Sequence, residues 1–171
     1  VIGSQAFNSN INGANNIAIG YGAFDSATSP EYSVAIGVDS LSSVTVQSYN
    51  NAIGYQAMLN MVSPSHNTAM GYQALRGDTS GTRDGSYNTI NCNNFIQNND
   101  TVDYNVTVGN NSLRANDIGY NNTALGYGAM YHNTVGVSNT VIGYQAMYVN
   151  TGSDFNVAIG FEAGYNNIFD N

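Results

Sequence analysis

Glycine recurs at a fixed interval through almost the whole of this chain: at Gly3, Gly20, Gly37, Gly54 and Gly71, and again at Gly109, Gly126, Gly143 and Gly160. Successive members of each series are 17 residues apart, and the gap from 71 to 109 is 38, two periods plus four. Aligning Tyr87-Asn88 with Tyr104-Asn105 puts Cys92 in the missing slot, 17 residues before Gly109, and the extra residues in a four-residue insertion within 76–87. Ten copies of one unit follow, best seen in Asn67-Thr68-Ala69-Met70-Gly71-Tyr72-Gln73-Ala74-Leu75 and Asn139-Thr140-Val141-Ile142-Gly143-Tyr144-Gln145-Ala146-Met147. A fixed period of this kind is the mark of a repeat architecture, and 17 residues are too few for a pair of helices.

The runs Val34-Ala35-Ile36 and Val157-Ala158-Ile159 have the β-branched alternation of short strands, with Asn, Ser, Thr and Gly between them. The predicted fold is all-β, a parallel β-solenoid (β-roll) of ten 17-residue coils spanning residues 1–171 as one array. Each coil is expected to carry one strand from the Asn to the Gly and a second short one near Thr28, Thr45 or Thr134. The sequence opens inside a repeat, at Val1-Ile2-Gly3, and stops 11 residues past Gly160, so it reads as a segment of a longer array.

Counting the glycine as position 0, the residue at position −1 is apolar in nine copies of ten, from Ile2 and Ile19 to Ile142 and Ile159, with Asn91 as the exception. This column is expected to face the core. Position +4 (Phe7, Phe24, Leu41, Met58, Leu75, Ile96, Leu113, Met130, Met147, then Gly164) is expected to form a second buried column, with small residues at +3 spacing the coils. Position +13 is Asn in eight copies of nine, which suits an inter-coil amide ladder at a turn and a left-handed backbone. Two aromatic columns remain. One, at +1, supplies the candidate surface contacts Tyr21, Tyr55, Tyr72, Tyr127 and Tyr144; the other, at +12, holds Tyr32, Tyr49, His66, Tyr87, Tyr104 and Phe155. Both are expected to stack along the rod or to offer a strip for sugar rings.

Only 8% of residues are charged, against about a quarter in ordinary domains. Twenty-eight are Asn by direct count. A surface so poor in charge must be hydrated by amides and hydroxyls or buried in an assembly. The net charge is −8, with three basic residues and no lysine, which excludes the cationic footprint that nucleic acid needs and disfavours anionic membranes. No apolar run is long enough to span a bilayer, and no charged stretch followed by an apolar one marks a signal peptide within these residues. A lone Cys92 excludes an intramolecular disulfide.

No catalytic, cofactor-binding or metal-binding residues are assigned, and no cofactor. His66 and His132 fall in different columns, and the carboxylates are scattered. Asp100 and Asp117, one period apart, with Asp103 nearby, are the only acids placed for calcium or for sugar hydrolysis, and no nonapeptide calcium pattern accompanies them. A Thr column at Thr28, Thr45, Thr79, Thr134 and Thr151 is too interrupted for a regular ice-binding array. Sequons mark Asn99, Asn105, Asn110 and Asn121 as candidate glycosylation sites. The loop from Arg76 to Gly85 is the one break in the array and the expected protrusion.

The units Ser33-Val34-Ala35-Ile36-Gly37 and Asn156-Val157-Ala158-Ile159-Gly160 resemble the head repeats of trimeric autotransporter adhesins, and the period is similar to the 17-residue arrays of phage tail-fibre-like surface proteins. The resemblance implies a left-handed parallel β-roll in an extracellular structural or adhesive fibre, at the cell surface or on a virion, non-catalytic and self-associating as a trimer or filament. The alternatives it leaves are a subunit of an end-to-end surface filament and a carbohydrate-binding or carbohydrate-processing β-helix of a tail fibre. Expected partners are further copies of the chain and surface glycans, with no nucleic acid and no membrane insertion.

Overall fold

A computed structural model describes residues 1–77, 85–94 and 102–167. Those residues form a parallel β-solenoid without helices, so none is long and apolar enough to cross a membrane. The strands are β1 (Ile17–Ile19), β2 (Val34–Ile36), β3 (Asn51–Ile53), β4 (Thr68–Met70), β5 (Thr89–Asn91), β6 (Val106–Val108), β7 (Thr123–Leu125), β8 (His132–Asn133), β9 (Thr140–Ile142), β10 (Val149–Asn150), β11 (Val157–Ile159) and β12 (Asn166–Asn167). One sheet runs β1-β2-β3-β4-β5-β6-β7-β9-β11, every pair parallel. Its nine strands bound eight complete turns, not the ten whole coils expected. The first copy joins through an isolated bridge, Ile2 to Ile19, and the last is incomplete within the described residues.

Register follows the sequence period. Ala18, Ala35, Ala52 and Ala69 lie in line, and the line continues into Ile90 across the insertion. The sheet therefore absorbs the extra residues without slipping, and a slip of one residue would have turned every side chain over. Cys92 occupies the glycine slot: its N–H donates to the Met70 carbonyl at 3.1 Å, as Gly71 N–H does to Ile53 at 2.9 Å. Residues 78–84 of the insertion lie outside the described residues. The expected second strand forms only in the C-terminal part, as the sheet β12-β10-β8 at positions +6 and +7.

The coil interior is narrow. Position −2 (Ala18, Ala35, Ala52, Ala69, Ala124) and position +3 (Ala23, Ala57, Ala74, Ala129, Ala146) are fully or almost fully buried, and between them lie Phe24, Leu41, Met58, Leu75, Leu113, Met130 and Met147. The +4 column is thus core, as expected. The −1 column is not. Ile19 is 37% exposed, Met70 44% and Leu125 42%, and Ile36, Ile53 and Ile142 are only half buried. In a three-residue strand only the central side chain points into the coil, and that place is mostly Ala, with Ile90, Thr107 and Val141 the larger members. The flanking Val and Ile point outward.

The glycines allow the close stacking. A Cβ on Gly54 would lie 2.3 Å from the carbonyl oxygen of Gly71, and the backbone there has φ +139°. Left-handed geometry recurs at +2, +4 and +12, including Gln73, Leu75, Tyr32 and Tyr87. The position expected to be left-handed, the Asn at +13, is not; its aromatic neighbour at +12 carries the turn instead. The Asn column forms a buried ladder. Each Oδ1 accepts the backbone N–H of the next member, as in Asn122 N–H to Asn105 at 2.8 Å and Asn139 N–H to Asn122 at 3.0 Å. Ser33 serves in one coil, its Oγ accepting from Asn50 N–H at 3.0 Å.

A second amide ladder was not foreseen. Asn116, Asn133 and Asn150 at position +7 are fully buried; Asn133 Nδ2 donates to Asn116 Oδ1 at 2.6 Å and Asn150 Nδ2 to Asn133 Oδ1 at 2.7 Å. The second to fourth copies fill the same column with Ala27, Val44 and Met61.

Candidate functional site

The outward positions of the main sheet make one continuous face. Reading across a coil, every second residue points out: the aromatic at +12, then the two flanks of the strand at −3 and −1, then the residue at +1. In the fifth copy these are His66, Thr68, Met70 and Tyr72. Through all copies these four columns contain no Asp, Glu, Lys or Arg. The acids sit beside the face, Glu31, Asp103 and Asp154 at +11 and Asp39 and Glu162 at +2.

Stacked rings wall the face on both sides. On the +12 side Tyr32, Tyr49, His66, Tyr87 and Tyr104 form an unbroken ladder, with centroids 5.3, 4.8, 4.8 and 4.9 Å apart. On the +1 side Tyr55 stacks on Tyr72 at 5.2 Å, and Tyr127 on Tyr144 at 5.3 Å, continuing to Phe161. Val38, Asn93 and Asn110 interrupt this column, which leaves Tyr21 without a stacking partner. All five candidate contacts, Tyr21, Tyr55, Tyr72, Tyr127 and Tyr144, lie on the outward side and are about half exposed. Within the stacks each ring face is covered by its neighbour. The ladders therefore present edges and hydroxyls, and a sugar ring finds an open π-face only at a ladder's end.

A third ladder, Tyr131, Tyr148 and Tyr165 at +5, lies off this face, with centroids 4.9 and 5.2 Å apart. The Arg114 guanidinium caps it, 5.4 Å from the Tyr131 centroid and hydrogen-bonded to the Tyr131 hydroxyl. Burial, and then the neighbouring phenols of Tyr131 and Tyr165, push the Tyr148 hydroxyl above its ordinary range. The spacing of 17 among these tyrosines was the available sequence signal.

The remaining candidates disperse. His66 is held between two tyrosine rings, and His132 packs edge-on against Tyr131 and Tyr148. Among the described residues no three His, Cys, Asp or Glu side chains gather as a metal site. The Asp103 carboxylate accepts the Ser86 N–H at 2.7 Å, and Asp154 accepts Val137 N–H at the same distance, so both acids tie successive coils together. Asp117 is exposed, and Asp100 lies outside the described residues. Of the sequons, Asn110 and Asn121 are exposed, whereas Asn99 lies outside the described residues. Asn105 is fully buried in the ladder, its Nδ2 donating to Asp103 and Gly119 carbonyls, so the folded coil offers no acceptor there.

Cys92 is buried, and burial pushes its thiol up to about 12 against a partly offsetting hydrogen bond with Ser112. Since the thiolate is the reactive form, the folded chain should react with a disulfide reagent at pH 8 at least 100-fold more slowly than the urea-unfolded chain. Equal rates would show that the sixth coil opens readily.

No family model, curated protein or solved structure matches this chain.

Proposed function

We propose that this chain is a length of a non-catalytic structural and adhesive fibre, displayed outside the cell, that associates with further copies of itself through the sheet face. The observation that carries the reading is that face: uncharged, rich in aliphatic and aromatic side chains among threonines and asparagines, and half to fully exposed along nine strands of an otherwise acidic rod. Contiguous apolar patches larger than a few hundred Å² are uncommon on monomers and mark interaction sites. Nine strands at a spacing of about 4.8 Å and four outward columns give a footprint of roughly 40 by 20 Å. That is about the 800 Å² per partner of an ordinary stable interface. The adhesive part of the reading draws on the rows of tyrosine hydroxyls at its rims. Binding of glycans takes second place, because the ring faces are occupied by one another.

Sedimentation and electron microscopy test this together. Elongated particles containing several chains are expected at micromolar concentration, and particles of one chain throughout would overturn the reading. Met70→Asp gives a sharper check. Its side chain is exposed, so the separated chain should lose less than about 0.5 kcal/mol. The assembly should instead dissociate, as a carboxylate enters an apolar contact without a partner. Assembly unaffected by the substitution would exclude this face.

A further inference from the structure

We propose that the C-terminal end of the +12 ladder is a pocket for a quaternary ammonium group, such as the trimethylammonium of choline, held by Asp103, Tyr104, Ile118 and Tyr120. The inference goes beyond the fibre reading and does not depend on it.

The ladder ends there because the seventh copy carries Asn121 at +12 in place of a ring. Tyr104 stacks on Tyr87 through one face, at 4.9 Å, and no described ring stacks on the other. Beside it opens a cavity of about 480 Å³ lined by the four residues, a volume within the range of small-molecule sites. The seventh copy supplies two of the walls, Ile118 at +9 and Tyr120 at +11, each about half exposed. The opposite end of the ladder is built differently. There Tyr32 meets the first copy, whose residues at +9, +11 and +12 are Asn12, Ala14 and Asn15, which bring neither a second ring nor an aliphatic wall.

Asp103 supplies the charge. Its Oδ1 accepts the Ser86 N–H at 2.7 Å, and its Oδ2 bonds no described residue. The chain has no lysine, and the two described arginines, Arg76 and Arg114, both lie at +5, off this face. A cation that pairs with this carboxylate is therefore a ligand's. The walls select which cation. A primary ammonium has three donors to satisfy, and one free carboxylate oxygen among phenol rings and an isoleucine falls short of that. A quaternary ammonium donates no hydrogen bond, and its methyl groups suit an aromatic face beside a negative charge. A neutral sugar would cover Tyr104 and leave the charge of Asp103 unused.

Saturation-transfer NMR with choline chloride at constant ionic strength tests the pocket. Binding is expected with a Kd of about 1–10 mM, and n-butylammonium, which lacks the methyl groups, should bind about threefold more weakly or worse. Asn121→Tyr should abolish binding without lowering the melting temperature. A ring there closes the open face of Tyr104, and the φ of 57° at Asn121 matches 59° at Tyr87 and 55° at Tyr104. Asp103→Asn keeps an oxygen for the Ser86 N–H, removes the charge, and should weaken binding about fivefold or more. Asp154→Asn makes the same change in the same column, where Asp154 accepts the Val137 N–H, and should leave binding as it was. Absence of binding up to about 50 mM choline would overturn the proposal. So would choline binding that survives Asp103→Asn and Asn121→Tyr. Binding of methyl glucoside that these two substitutions abolish would give the pocket to sugars and overturn it as well.

Discussion

Gly126→Ala should lower the melting temperature of the array steeply, by a loss of stability of about 3 kcal/mol or more. Two separate causes add. The backbone at Gly126 has φ +133°, a region that side-chain-bearing residues almost never adopt, and the new Cβ would lie 2.4 Å from the Gly143 carbonyl oxygen. Rotating the backbone to relieve the strain breaks the bond from Gly126 N–H to Val108 at 2.8 Å, and lifting the next coil to relieve the contact separates β7 from β9. In a solenoid each coil is stabilised only by its neighbours, so neither loss is made up elsewhere. Gly128→Ala is the control. Its φ of +63° is one that Gln145 and Asp39 adopt at the equivalent position, and the nearest atom to the new Cβ, on the Tyr148 ring, is 3.3 Å away. It should cost about 1 kcal/mol or less. Thermal melts followed by circular dichroism decide, and a Gly126→Ala melt close to that of Gly128→Ala would refute the close-stacking account.

The second large effect is expected at the Asn ladder. Asn122→Leu removes the acceptor for Asn139 N–H at 3.0 Å and for Asn139 Nδ2 at 3.1 Å. Asn139 Nδ2 retains the Ser153 carbonyl, and the Gly136 carbonyl retains Asn133, so the lasting orphan is the buried Asn139 N–H. An unsatisfied buried donor costs about 1–3 kcal/mol, to which the misfit of an apolar branch among amides adds. Asn122→Ser should recover about half of that loss. Ser33 shows why, because its hydroxyl accepts the next coil's N–H while donating to the Glu31 carbonyl at 2.9 Å. Urea titration of the three chains tests the order Asn, Ser, Leu; serine no better than leucine would contradict the ladder's role.

The period and the parallel stacking were legible because every copy carries the same glycine, and glycine at a fixed interval constrains how closely coils approach. The inside and outside of the strand were not. In Val34-Ala35-Ile36 all three residues are apolar, so the usual rule that the largest residues face inward selects Val34 and Ile36. The narrow interior selects Ala35. The same misreading hid the candidate site, since the −1 column assigned to the core is part of the floor of the exposed face. The aromatic columns at its rims were expected to stack along the rod, and rings such as Tyr32 on Tyr49 and Tyr55 on Tyr72 do. The left-handed turn was assigned to Asn because Asn tolerates it best, yet the Asn side chain is needed inside the ladder. The strain passes to the residue before it, and Tyr32, Tyr49 and His66 hold φ between 51° and 61° while stacking on one another. The second amide ladder escaped notice because Ala27, Val44 and Met61 interrupt its column after Asn10.

The constant offset between partners bears on how the chain reaches this fold. Nearly every bond across the stack joins residues within a residue or so of one period, 18 apart for Gly54 and Ile36 and 17 for Asn67 and Asn50. Seventeen residues in a chain of 171 is a relative contact order of about 0.1, in the range of small helical bundles and well below that of other all-β proteins. Folding should then start at any well-formed pair of coils and spread in both directions by closing short loops, so rates should depend weakly on the number of copies. The coil that spans the insertion must close a loop four residues longer, and propagation should hesitate there first.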